Sequence, residues 1–264
     1  MIWDRHRAAP LIVLVLVLLV APYFVGDPLA TAPSMQLTPP GFAYPLGSDL
    51  LGRDMLARTV YGGQRTLMSA GAATAIAVGG ALCLTGIVVV TPPGGRRWLR
   101  LLTRTLLALP PLVFGLIIVT LTSGGEWGVI AATGLVHLAP YVRVLDTSET
   151  SARQNGHVEA ARALGAGEWR VWRAHLLPIM LPTLLAQAGV TFAGAILTSA
   201  ALGFLGFGGE VSAPEWGRML YDGRQVLRVA PWVPLAPGVG ITLLVMSVNY
   251  ALESGERRVR RWRE

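Results

Sequence analysis

Apolar residues in this chain gather into long runs and do not alternate with polar ones. Residues 66–95 contain no charged side chain at all, and residues 8–25, 105–125, 127–142, 176–209 and 229–252 form five further apolar stretches. A helix needs roughly 20 residues to cross a hydrocarbon core about 30 Å thick, and most of these runs reach that length. The pattern predicts an all-α, polytopic membrane protein with six transmembrane helices. The fourth span continues past Arg143 into the interface, and Ser123-Gly124-Gly125 supplies the tight turn between spans three and four.

The first run follows Arg5, His6 and Arg7 and has the outline of a cleaved signal peptide. Its apolar part is long, however, and Val20-Ala21-Pro22-Tyr23 offers no small-x-small cleavage site, so a retained first span is expected. Composition agrees with membrane residence: 53% of residues are hydrophobic and 14% charged, against about 25% charged in soluble proteins. All 22 basic residues are Arg, and the formal net charge is +7. In a soluble chain that excess would suggest nucleic acid. In a membrane chain it reports orientation, because Arg concentrates on cytoplasmic segments. Placing the N-terminus inside puts sixteen Arg on inside segments and six on outside ones. Both termini and residues 143–175 are therefore expected in the cytoplasm, and residues 26–65 and 210–228 outside. The expected setting is a bacterial cytoplasmic (inner) membrane, with the lipid bilayer and not nucleic acid as the surrounding partner.

Several chemistries find no carrier. No G-x-x-x-x-G-K-[ST] phosphate loop is present, and neither HExxH nor GxSxG occurs. The four His residues are scattered, and no His/Cys/Asp/Glu cluster has metal-ligand spacing. No catalytic residue, metal site or cofactor is assigned to this chain. The single cysteine, Cys83, sits inside an apolar run and reads as a packing residue. Ionisable groups within spans are costly and mark function. His137 is the exception here: a hydrogen-bonded packing residue is one reading, a path or gate residue the other.

The polar loop between spans four and five carries the sharpest signal. Residues 157–164 predict a short helix, with Glu159 in its first turn near the positive end of the dipole. Ala160, Ala161 and Ala163 raise helix propensity at little bulk, and Gly165 can take positive φ and end the helix. A second helix is expected from near Glu168 into span five, broken or tilted by Pro178 and Pro182. A short, small-faced, Gly-terminated helix suits docking in a partner's groove, with an amphipathic helix on the membrane surface as the alternative. The segment resembles the E-A-A-x-x-x-G-x₉-I-x-L-P signature of ABC-importer permease subunits. Glu159, Ala160, Ala161 and Gly165 match, as do Leu177 and Pro178 after the nine-residue spacer. His175 stands at the Ile position, as is common in the dipeptide/oligopeptide/nickel branch.

Two outer segments extend the resemblance. Residues 45–58 read PLGSDLLGRDMLAR and resemble the L-G-T-D-x-x-G-R-D-x-x-S-R motif of the C-type permeases of that branch, with Ser48 for Thr and Ala57 for Ser. Asp49 is read as a helix N-cap, and Asp54 and Arg58 as an i,i+4 pair on an amphipathic interfacial helix leading into span two. The motif residues Asp49, Gly52, Arg53 and Asp54 have a structural or a substrate role. Residues 202–220, with Gly203, Phe204, Gly206 and Phe207 followed by Pro214-Glu215-Trp216-Gly217, also resemble that branch. The glycines permit an irregular backbone, tolerated at membrane depth only under cover of protein or around a cavity. Either a path or gate element or a re-entrant packing element results.

The resemblance implies a type I ABC-importer permease, residues 1–65 forming a first span with an outer loop and residues 66–264 a five-helix core. It implies a heterodimer with a second related permease, two cytoplasmic ATPases that bind ATP and Mg, and an extracytoplasmic solute-binding protein. Glu159, Ala160, Ala161, Gly165, Leu177 and Pro178 are then the ATPase-coupling residues. The substrate is a peptide or a nickel or other metal chelate. The competing classes are a stand-alone channel or secondary carrier, and a non-transporting assembly subunit.

Overall fold

Asp54, not Asp49, starts the longest helix: its carboxylate accepts the Leu56 N–H at 2.9 Å. This helix, α2, runs unbroken over Met55–Val90, about 54 Å at the usual rise. The separate interfacial helix expected before span two is therefore its first turns. Asp49 instead closes a turn, accepting the Leu51 and Arg53 N–H groups at 2.8 and 2.9 Å. Gly52, at φ 73°, lies in that turn. The computed structural model describes residues 5–91, 94–122, 124–209 and 212–261. Ser123 of the expected turn, Glu210 and Val211 of the outer segment, and Arg263 of the arginine tally fall outside those residues.

Among the described residues the remaining helices are α1 (Arg5–Val20), α3 (Gly94–Ala108), α4 (Pro111–Leu121), α5 (Gly125–Ala152), α6 (Gly156–Ala163), α7 (Glu168–Val171), α8 (Leu177–Leu202), α9 (Trp216–Gly223) and α10 (Trp232–Arg261). The fold is all-α. Four segments are long and apolar enough to cross a membrane: Met55–Val90, Gly125–Ala152, Glu168–Phe207 and Trp232–Leu252. The expected third span is bent by 99° between α3 and α4, and the pair counts as a fifth span if taken together. Pro110 and Pro111 explain the break, since a residue before proline is pushed out of the helical region. The first apolar run gives α1, only 16 residues, extended by a 3-10 turn at Ala21–Tyr23. Among the described residues four spans, or five with the bent pair, pass by length and composition, against the six expected.

Small residues let the central helices close. Ala70, Ala73, Ala77 and Ala81 are fully buried along one stripe of α2. On α5, a Cβ added at Gly134 would meet Ile76 of α2 at 2.8 Å. Small side chains at such crossings bring backbones together where lipid supplies no hydrophobic drive. α8 and α10 complete the bundle, and α1 lies against α2 and α10, with Leu18 in the core. Cys83 is exposed on α2, contrary to the packing role expected of it.

Two ends result. One gathers α3, the C-terminal end of α5, α6 and α7, and is rich in arginine. The other gathers residues 26–54, the start of α5, α9 and the start of α10, joined by Trp216 Nε1–H donating to Thr59 O at 2.8 Å and Trp232 Nε1–H to Ser48 O at 3.1 Å.

Candidate coupling helix and outer charge cluster

At the arginine-rich end, α6 stops as the sequence predicts. Gly165 has φ 84°, its N–H donates to Arg162 O at 2.9 Å, and the Ala166 N–H donates to Ala161 O at 3.1 Å. This pair of bonds is a Schellman cap and turns the chain sharply. Val158 is fully buried against the cluster that holds Tyr141, Leu145, Trp172 and Leu176. Glu159, Ala160, Ala163 and Gly165 are exposed, Ala161 is partly buried, and Leu164 at the tip is 89% exposed. One side of α6 thus anchors it while the other is presented outward.

An ion-pair chain fixes α6 to its neighbours. Arg96 of α3 and Arg153 meet the buried Glu149 carboxylate of α5 at 2.8 and 2.6 Å. Arg153 also reaches Glu168 of α7 at 3.0 Å, and Arg162 of α6 pairs with the same Glu168 at 3.0 Å. A charge as buried as Glu149 requires such pairing. Spacing along the chain carries no signal for this network, for the anchoring of Val158 or for the exposure of Leu164, because the pairing crosses α3, α5, α6 and α7.

From α7 the chain passes through a π-helical turn at Trp172–Leu176 directly into α8. Within it the Leu177 N–H reaches back to Trp172 O. Pro178 and Pro182 therefore do not break the segment. The wide turn just before Pro178 absorbs the missing N–H. Leu177 packs against the cluster under α6, and Glu168–Phe207 becomes one 40-residue segment.

The far end of that segment is the glycine-rich run. A second π-helical turn spans Gly203–Phe207, with Gly206 at φ 94°, so the irregular backbone expected there is present. Gly203 is buried, Phe204 is exposed, and Phe207 packs near Val119, Val129, Ala132 and Leu202. His137 lies elsewhere, in α5, with Nε2 3.1 Å from Thr198 Oγ1 on α8 and its ring over Gly194. The structure does not bring it together with the glycine-rich run.

Glu215 fills the notch of the broken helix. A Cβ at Gly203 would meet its carboxylate at 3.0 Å, and one at Gly208 at 2.8 Å, so these two positions leave room only for hydrogen. Arg65, Ser69, Glu126, Ser199 and Arg218 line the same pocket, and Arg65 approaches Glu126 at 3.8 Å. Burial pushes the Glu215 carboxyl up to about 7, helped by the nearby Glu126 charge and opposed by the Gly217 N–H, Arg65 and Arg218. The folded chain thus holds this proton more tightly than the unfolded one. The resulting stabilisation is complete below the unfolded pKa of 4.5 and is lost as pH rises through about 7. Glu215→Gln, which keeps the shape of the neutral acid, is expected to flatten that loss, a difference on the order of 2 kcal/mol between pH 5 and pH 8. Thermal melts of the two purified proteins across that range would reveal it; parallel pH profiles would contradict the assignment.

At the same end, the Asp49 motif is a clasp. Asp49 Oδ2 receives Arg53 Nε at 2.6 Å and lies 3.4 Å from Arg58 Nε, all three side chains being buried. Arg58 pairs with Asp49 and not with Asp54 as the spacing suggested. Its Nη1 also donates to Pro28 O at 3.3 Å and to Ser212 O at 3.4 Å, joining the outer loop, α2 and the segment before α9. At Gly52 a Cβ would overlap the Ala32 carbonyl.

Residues 85–261 match the family model described as binding-protein-dependent transport system inner membrane component. The chain is 33% identical over 240 residues to the dipeptide transport system permease protein DppC of Alkalihalophilus pseudofirmus, covering 89% of this chain and 78% of that one. It is 34% identical over 236 residues to the di/tripeptide transport system permease protein DppC of Pseudomonas aeruginosa, covering 87% and 77%. Among solved structures, the MetNI methionine ABC transporter in an inward-facing conformation matches with a TM-score of 0.63 at 24% identity, over 78% of this chain and 97% of that one. With the irregular turn at Gly203–Phe207, the Gly-capped helix and the polytopic all-α body in view, the chain belongs to the family of binding-protein-dependent transport system inner membrane components, the permeases of ABC importers.

Proposed function

We propose that this permease carries peptides, that α6 is the helix through which a cytoplasmic ATPase drives it, and that its arginine-rich end faces the cytoplasm. The observation that carries the coupling role is the form of α6: anchored by Val158, braced through Glu168, and presenting Glu159, Ala160 and Leu164 outward. An ATP-driven push on that surface passes through the Arg162–Glu168–Arg153 bridges into α7 and along the continuous 40-residue segment to the Gly203–Phe207 break. A continuous helical segment ending at an irregular backbone turn can carry displacement from one end to the other. Coupling of this kind requires that the ATPase contact α6 differently in its two states. ATP and Mg belong to two ATPase partners, and a second, related permease completes the path. A solute-binding protein delivers substrate at the Asp49 and Glu215 end. The peptide substrate follows the relatives, whose names specify dipeptides and tripeptides.

Reconstitution tests the reading. Proteoliposomes holding this chain, a second permease, two ATPases and a binding protein should accumulate a radiolabelled dipeptide only with ATP inside the ATPase compartment. The chain alone should give no flux. Dipeptide flux through the chain alone and without ATP would make it a channel or carrier, and ATP-driven uptake that persists without the chain would make it an assembly subunit.

A further inference from the structure

Helix α3 is unlike the other long helices. Arg96, Arg97, Arg100 and Arg104 recur at steps that put them along one side, while Trp98, Leu101 and Leu102 occupy another and are exposed, Trp98 to 72%. The 99° bend to α4 sets α3 nearly perpendicular to an apolar helix of the bundle. If α4 stands along the membrane normal, α3 lies in the membrane plane. A helix with apolar residues on one side and arginines on another is stable in that plane, at the boundary of headgroups and acyl chains. Trp98 and the arginines suit that depth.

Between α3 and α5 lies a cavity of about 490 Å³. It is lined by the apolar Leu99, Leu107, Ala108 and Val142, by Thr103 and Thr147, and by Arg100, Arg104 and Arg143 with one carboxylate, Asp146. Arg100 approaches Asp146 only to 3.9 Å. The cavity thus has three guanidinium groups, one acid and an apolar lining. Arg96 differs, being committed to Glu149 at 2.8 Å.

We infer that this α3–α5 cavity binds an anionic phospholipid, its phosphate between Arg100, Arg104 and Arg143 and an acyl chain along Leu107 and Val142. The charge excess calls for an anion, an in-plane α3 sets the cavity at headgroup depth, and the apolar lining calls for hydrocarbon in the same ligand. An acidic protein surface satisfies the first of these and not the last. Guanidinium groups bind phosphate through paired N–H donors, and basic residues beside an anionic bilayer surface are attracted to it. The site sits on α3, which Arg96 ties to the ion-pair chain leading to α6. The inference rests on the membrane reading of α3 and α4 and not on the transported substrate.

Native mass spectrometry of the purified full chain tests it, with phosphatidylglycerol and phosphatidylcholine of identical acyl chains as probes. Phosphatidylglycerol should be retained at least about fivefold more strongly. Arg100→Gln/Arg104→Gln/Arg143→Gln should abolish the preference, the three corresponding Lys replacements should restore most of it, and Arg228→Gln at the other end should leave it unchanged. Equal retention of the two lipids, or an undiminished preference in the triple Gln variant, would overturn the proposal. Competition by millimolar inorganic phosphate would place the affinity in a free anion and overturn the lipid assignment. Loss of bound phosphatidylglycerol when the chain is assembled with its transport partners would assign the face to an acidic protein surface instead. Uptake assays are independent of this test, so the site can fail while the transport reading stands.

Discussion

Gly165→Pro is expected to abolish ATP-driven uptake while leaving the protein in the membrane. Proline fixes φ near −65°, whereas Gly165 sits at φ 84° and donates its N–H to Arg162 O. The Schellman cap is lost on both counts, and the chain after α6 leaves in a different direction. The bundle beneath is untouched, because Gly165 is exposed and a Cβ there meets nothing. Gly165→Asn, a residue that tolerates the left-handed region, should retain most function. Glu159→Lys places a cation on the exposed first turn, where the helix dipole disfavours it. Leu164→Ser removes the large apolar group at the tip, whose 89% exposure leaves it open to burial by a partner. Each should weaken ATPase co-purification and uptake at least about tenfold, equivalent to about 1.4 kcal/mol of lost docking. Normal co-purification and uptake in all three would remove α6 from the coupling role.

How far the sequence led depends on the range of each interaction. The helix ending at Gly165 was legible because its cap is local: a glycine four residues after an alanine pair, at the end of a helical run, admits few other conformations. The broken backbone at Gly203–Phe207 was legible for the same reason. The 99° bend was not, although Pro110-Pro111 was there to be read. Apolar residues on both sides of the prolines hid it, because hydropathy averages over a bend and cannot see direction. The start of α2 was misplaced because Asp49 and Asp54 are both competent caps. The choice was made by Arg53 and Arg58, which draw Asp49 into a turn through contacts that spacing alone does not reveal. Glu215 was quoted within its motif but passed over. Its significance lies in the notch left by Gly203 and Gly208, two positions far enough away in sequence that only the fold brings the acid to them.

The clasp at Asp49 yields the largest expected effect on stability. Asp49→Ala removes the carboxylate shared by Arg53 and Arg58, whose Oδ1 also accepts the Leu51 and Arg53 backbone N–H groups. Both guanidinium groups stay buried, and Arg58 keeps long bonds to the Pro28 and Ser212 carbonyls and the charge of Asp222. Stripping one partner from a buried charge cluster typically costs about 3–5 kcal/mol, because the remaining charge loses its counter-ion without regaining water. Asp49→Asn should fall between, since its amide oxygen can still accept the two turn N–H groups while the charge is gone. Adding Arg58→Met to Asp49→Ala should recover part of the loss, which a hydrogen bond to the turn alone would not predict. Thermal unfolding of the purified variants distinguishes these outcomes. A cost below about 1 kcal/mol for Asp49→Ala would mean that water already shares the cluster. Its arginines would then be available to a ligand at the same end of the bundle that Glu215 and Arg65 occupy, and the motif would have a substrate role in place of a structural one.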